Sequence, residues 1–171
     1  MIEVGAGHGA NFAHYPEAVT EVLAVEPEPR LRAQAREASR QAPIRIEVVD
    51  GVANELPAAD ASFDAGIASL VLCSVPDQLL ALQELRRVIR PGGELRFYEH
   101  VVSRKPSMAR FQRLADATIY PRLAGGCHLT RDTTSTIEEA GFAIRSCERF
   151  PFKVAALAPS IPHILGTAER V

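Results

Sequence analysis

The sequence has no tryptophan, and Lys105 and Lys153 are its only lysines. Arginine supplies the other positive charges, so 19 basic residues face 21 acidic ones and the net charge is −2. A chain so balanced has no basic field to draw it onto nucleic acid or anionic lipid, which excludes an electrostatic nucleic-acid binder. The three cysteines, Cys73, Cys127 and Cys147, lie far apart with no CxxC spacing. That excludes a disulfide framework and predicts no metal site, and it favours a reducing, cytoplasmic setting. No apolar run approaches the roughly 18 residues of a membrane span. The N-terminus has neither the basic nor the apolar region of a signal peptide. Repeats, low-complexity tracts and linkers are also missing. A length of 171 residues then suits a single domain, 1–171, with a sizeable core.

Short apolar runs alternating with helical periodicity predict an α/β architecture with a largely parallel sheet. Strands are expected at Met1 to Val4, Glu21 to Glu26, Ile44 to Val49, Phe63 toward Leu72, and Glu94 to His100. The firmest helix begins near Pro76-Asp77, where Leu79, Leu82, Leu85, Val88 and Ile89 recur at three- and four-residue spacing. Further helices are expected over Asn11 to Tyr15, Arg30 to Arg40, Ala109 to Ile119, and about Arg131 to Ala140. The last of these is capped by Thr130 or Asp132 and stopped by Gly141. Phe142 to Phe150 and Ile164 to Val171 read as two strands that pair antiparallel.

The stretch EVGAGHGANF, residues 3 to 12, is a strand running into a glycine-rich turn. Such a turn lets the backbone approach a nucleotide-like ligand closely, with amides and a helix start facing it. Gly5, Gly7 and Ala10 also satisfy a dinucleotide fingerprint, although a tight connection alone needs no more than this. Glu26 adds a second feature: it ends the next strand about 20 residues beyond Gly5, where an acid accepts hydrogen bonds from both ribose hydroxyls of an adenosine. These two features leave a nicotinamide dinucleotide and S-adenosylmethionine both open. The chain has neither the length nor the second fingerprint of a full dinucleotide domain.

The later landmarks carry a resemblance. Residues 3–9 (EVGAGHG), 24–27 (AVEP), 51–57 (GVANELP), 62–65 (SFDA) and 85–101 (LRRVIRPGGELRFYEHV) resemble, in order, the motifs of class I S-adenosylmethionine-dependent methyltransferases of the type 11 domain. The blocks LVLCSV (70–75), YEHV (98–101), GGCHLTRDT (125–133) and PHILGTA (162–168) are similar to the methyltransferase-like subfamily that includes alkyl-thiol methyltransferases. The resemblance implies a Rossmann-like, seven-stranded sheet whose last strand inserts antiparallel, and methyl transfer to a small-molecule acceptor such as a thiol. It implies that Gly5, Ala6 and Gly7 run along the methionine part of the cofactor, with Glu3 oriented toward its amino group. Glu26 would bind the ribose, Pro27 would lie beside the adenine, and Val52 and Ala53 would border the adenine edge. Many relatives have an acid at the place of Val52, so that polar contact falls to backbone, Asn54 or Glu55. Ser69 and Leu70 would close over the cofactor near its sulfonium.

Methyl transfer to a thiol asks mainly that the nucleophile be held close and in line. His100, at the end of the fifth strand, is the candidate general base, beside an equal case for a structural histidine. Cys127-His128 reads as loop packing rather than a nucleophile or metal pair, and Cys73 as a small buried hydrophobe. Phe111, Leu114, Ile119, Tyr120 and Leu123 suit core packing first and an apolar acceptor wall second. The resemblance also implies an N-terminal lid. The chain starts two residues before Glu3, so the expectation is a truncated start, with a partner-dependent binding protein of the same fold as the alternative.

Overall fold

The computed structural model describes residues 1–118, 120–153 and 160–171. Seven strands form one sheet: β1 (Ile2–Val4), β2 (Glu21–Val25), β3 (Arg45–Val49), β4 (Phe63–Ser69), β5 (Ile89–His100), β6 (Phe142–Phe152) and β7 (Ile161–Arg170). Their order is β3-β2-β1-β4-β5-β7-β6. The strands from β3 to β5 pair in parallel, and β7 runs antiparallel to both its neighbours. The expected α/β sheet with an antiparallel last strand is therefore present. Both terminal strands are longer than the apolar pattern foretold, because their ends pair with each other through Phe152↔Ile161 rather than with the core.

Five helices accompany the sheet among the described residues: α1 (Pro29–Ser39), α2 (Gln78–Val88), α3 (Pro106–Asp116), α4 (Tyr120–Leu123) and α5 (Thr133–Glu139). The helix expected over Asn11 to Tyr15 is only a 3₁₀ turn, Phe12–His14. Pro16 follows one residue after its C-cap, too soon for an α-helical ladder to establish itself. α2 starts as read: Asp77 caps it by accepting from the Leu80 amide at 3.0 Å. Its Leu82, Leu85 and Val88 are fully buried against Ile2, Ile89, Leu95 and Ile137. Asp132, one of the two expected caps, starts α5, and Gly141 follows its C-cap at φ +89°.

The second core cluster covers the other side of β1–β3, where Phe12, Val22, Ala24 and Ala35 are buried. α3 departs from expectation. It buries Ala109 and Gln112, while Phe111, Leu114 and Leu123 are exposed, so core packing does not account for those three. Ile119 lies outside the described residues. No helix among the described residues is long and apolar enough to cross a membrane.

Candidate active site

A cleft of about 650 Å³ opens at the C-terminal edge of the parallel strands, within the size range of small-molecule sites. Its first wall is the glycine turn. Gly5 has φ +67°, and a Cβ there would meet Val71 Cγ2 at 2.3 Å, so two loops touch through the missing side chain. Glu26 is almost wholly buried at the end of β2, and its carboxylate accepts from the Gly7 amide at 2.8 Å and the Glu28 amide at 3.0 Å. Each oxygen retains a lone pair for another donor. Val52, Ala53 and Asn54 line the cleft after β3. Asn54 Oδ1 is buried and has no hydrogen-bond partner. A buried acceptor left unpaired in a cleft wall marks a place where a ligand donor fits.

The opposite wall follows β4. The strand expected to continue toward Leu72 stops at Ser69, because Leu70 takes φ +54°, a strained conformation for a side chain of that size. The next turn is gripped by Glu99, a fully buried carboxylate on β5. It accepts from the amides of Val71 (2.9 Å), Leu72 (2.8 Å) and Cys73 (3.2 Å). Burial raises its pKa to about 7 against the opposing pull of those three amides. Motif reading passed over Glu99. A signal existed: Leu95, Phe97 and Glu99 alternate on the buried side of β5, and an acid at a core position is out of place unless it holds something.

The segment around residues 125–131 docks on this turn. His128 donates its amide to the Cys73 carbonyl at 2.9 Å. Arg131 reaches the Val75 carbonyl, so it braces the loop. Asp116, ending α3, accepts from the amides of Leu129 (2.8 Å) and Thr130 (3.0 Å). Buried Gln112 donates to the carbonyls of Val101 and Leu129, both at 3.1 Å.

These contacts bring together three side chains far apart in sequence. Cys73 Sγ and Cys127 Sγ are 3.0 Å apart, and His100 Nε2 is 2.6 Å from Cys127 Sγ. The partner of Cys127 is thus His100 from β5, not its neighbour His128. The Cys127 thiol is driven below its ordinary pKa, first by the hydrogen bond from Cys73 and then by His100. The same hydrogen bond, burial and Glu99 push Cys73 up. Burial disfavours a charged His100, but Cys127, Glu99 and Asp116 together raise its pKa.

Of the residues expected around the cofactor, Gly5, Gly7, Glu26, Pro27, Val52, Ala53 and Leu70 line the cleft. Ala6 is buried beneath the turn, where its amide bonds the Val25 carbonyl. Ser69 faces a separate cavity of about 410 Å³, with Ile67 and Tyr98. Glu3 is not among the residues that line the cleft. It is buried, and its carboxylate accepts from Asn11 Nδ2 at 2.7 Å and from the Tyr15 hydroxyl, so both oxygens are held by the chain itself. Burial raises the Glu3 pKa, and burial beside Glu3 raises that of Tyr15.

The comparisons with known proteins agree with this fold. The chain is 38% identical to the mouse thiol S-methyltransferase TMT1B over 99% of its own length and 70% of the relative. Against human TMT1A, also named a thiol S-methyltransferase, it is 34% identical with the same coverage. Among solved structures, an S-adenosylmethionine-dependent methyltransferase from Methanosarcina mazei superposes with a TM-score of 0.77 at 19% identity, covering 99% of this chain and 91% of that one. One from Mesorhizobium loti gives 0.70 at 22%, covering 99% and 90%. At those identities the likeness establishes the fold. The sequence profile described as "methyltransferase domain" matches residues 2–97, more than half of the chain. With the cleft at the strand ends and the TMT1 relatives aligned along nearly its whole length, the chain belongs to the methyltransferase-domain family of S-adenosylmethionine-dependent enzymes.

Proposed function

We propose that the chain methylates the sulfur of a small, largely apolar thiol, working in a reducing, cytoplasmic compartment. The carrying observation is one cleft whose lining runs from Gly5 and Glu26 to Leu70, Ser74 and Gly125, the last two close in sequence to Cys73 and Cys127. The thiol S-methyltransferases TMT1A and TMT1B, aligned along 99% of the chain, supply the acceptor class.

Bound S-adenosylmethionine supplies a methyl carbon activated by its positive sulfur. The residues present fit that molecule. The Glu26 carboxylate has lone pairs free for the two ribose hydroxyls, and Asn54 Oδ1 is an acceptor available to the adenine amino group where relatives place an acid. Gly5 and Gly7 admit the methionine part against bare backbone. Pro27, Val52 and Ala53 give the adenine apolar contact, and Leu70, held in its strained conformation, closes over the reacting end. Glu99 keeps Val71 to Cys73 in place, so the acceptor side of the cleft is set before ligands arrive. His100, at the end of β5 and in contact with Cys127, is the base assigned to the acceptor, and it takes the thiol proton before or during attack.

Incubation with labelled S-adenosylmethionine and a panel of small thiols, phenols and amines tests this reading. Label should pass to apolar thiols, with S-adenosylhomocysteine formed in equal amount. Transfer to phenols or amines with none to thiols would overturn it.

A further inference from the structure

The Cys73, His100 and Cys127 contact has more in it than a base beside a thiol. One ligand atom from each of the three residues falls within 4.8 Å of the others. They come from three separate segments: the turn after β4, the end of β5, and the loop after α4. Cys73 and His100 are buried and Cys127 is half-buried. His100 Nδ1 is also buried without a hydrogen-bond partner. The ring's polar contact is its Nε2 with Cys127 Sγ.

Two sulfurs and one imidazole nitrogen around one point form a ligand set suited to zinc. We infer that Cys73, Cys127 and His100 form a zinc site whose fourth position takes the acceptor thiol as its thiolate. A disulfide is the competing use of the cysteines. The sulfurs at 3.0 Å are well short of bonding, and a disulfide would leave His100 with nothing to do. A tetrahedral zinc, with bonds of about 2.3 Å to sulfur and 2.0–2.1 Å to nitrogen, sets neighbouring ligand atoms about 3.6–3.8 Å apart. The Cys73–Cys127 and Cys127–His100 pairs reach that spacing by parting by roughly 1 Å, a small torsional adjustment.

Three protein ligands and one vacant position are the pattern of a catalytic rather than a structural zinc. None of the three ligands is among the residues lining the cleft, but Ser74 and Gly125, close in sequence to Cys73 and Cys127, are, and Cys127 is only half-buried, so the proposed fourth position lies on that side. With His100 engaged as a ligand, it no longer serves as the base: a thiol that coordinates there gives its proton to solvent instead and is held as thiolate. Its sulfur lone pair forms the new carbon–sulfur bond, while the old bond from methyl to the cofactor's sulfur breaks onto that sulfur. The product thioether is neutral, a weaker zinc ligand than the thiolate, and departs. No oxidant or reductant enters. The substrate class rests on the thiol reading above; the metal site itself does not.

The test uses the whole chain, stripped with a chelator, kept reduced, and titrated with cobalt(II) without oxygen. One equivalent should produce the intense visible bands of a tetrahedral site together with thiolate-to-cobalt charge transfer. A small alkyl thiol should then shift those bands. Zinc affinity, read by competition with a chromogenic chelator, should fall at least tenfold in Cys73→Ser, Cys127→Ser and His100→Ala, and stay unchanged in Cys147→Ser. Circular dichroism identifies any variant that fails to fold, and the cobalt spectrum of the unaltered chain stands independently of the variants. Absence of the tetrahedral bands, or bands indifferent to all three substitutions, would overturn the site. Full thiol methylation by metal-free enzyme would overturn its role in acceptor activation. A chain that binds cobalt as described yet methylates no thiol would refute the thiol function and leave the metal site standing.

Discussion

Along β1, β2 and β3 the cleft-facing residues come one strand end at a time: Gly5 and Gly7, then Glu26, then Val52 to Asn54. Beyond β4 the wall is assembled differently. Cys127 meets His100 across 27 positions and Cys73 across 54. A buried carboxylate and a set of backbone hydrogen bonds hold them there. The first region repeats a local rule, in which the residue after a parallel strand points into the crevice. The second depends on contacts formed only when distant segments dock, so damage to one buried anchor should be felt through the whole wall.

The largest effect should follow removal of that anchor. Glu99→Ala strands three buried amides, and a destabilisation of about 3 kcal/mol or more is expected from denaturant unfolding. If Glu99→Ala unfolds like the unaltered protein, the second region is not held by Glu99 and the contrast fails. Gly5→Ala comes next. Positive φ alone costs about 1–3 kcal/mol, and the overlap with Val71 adds to it. Thermal melts should register this, together with a loss of cofactor affinity in calorimetry. Because Gly5 touches the far wall, this substitution also probes how tightly the two regions are joined.

Glu26→Ala should act on the first region only, weakening S-adenosylmethionine binding by about 1–3 kcal/mol with little change in the cobalt spectrum. Unchanged affinity would remove Glu26 from the site. A smaller effect is expected from Glu3. Its folded pKa is raised, so the folded chain holds this proton more tightly than the unfolded one. Stability from it is complete below the unfolded carboxyl pKa of about 4.3 and is lost as pH rises through the folded value. Unfolding free energies measured from acid to neutral pH should therefore fall less steeply in Glu3→Gln. Smallest of all, Asp77→Ala removes the α2 cap, at about 1 kcal/mol, and should leave both walls of the cleft intact.

Several features of the protein could be read without coordinates. The leucine spacing of α2, the Asp132 cap, the antiparallel final pair and the Gly5–Glu26 relation each depend on residues close in sequence or on the order of strands. Other readings needed the fold. Periodicity placed Phe111 and Leu114 in the core, but α3 turns Ala109 and Gln112 inward, where Gln112 donates to the carbonyls of Val101 and Leu129. Glu3 was expected to orient toward the cofactor's amino group; the fold adds that Asn11 and Tyr15, brought back over β1 by the 3₁₀ turn, donate to its two oxygens.

The sequence by itself determined the succession of strands and helices along the chain, the glycine cradle and the acid beside it, since hydrophobic period and turn chemistry act over a few residues at a time. Only the tertiary structure decided which cysteine meets which histidine, and that Glu99 is an anchor. Those pairings are made by docked loops whose hydrogen bonds span dozens of residues, and no local pattern encodes a contact at that distance.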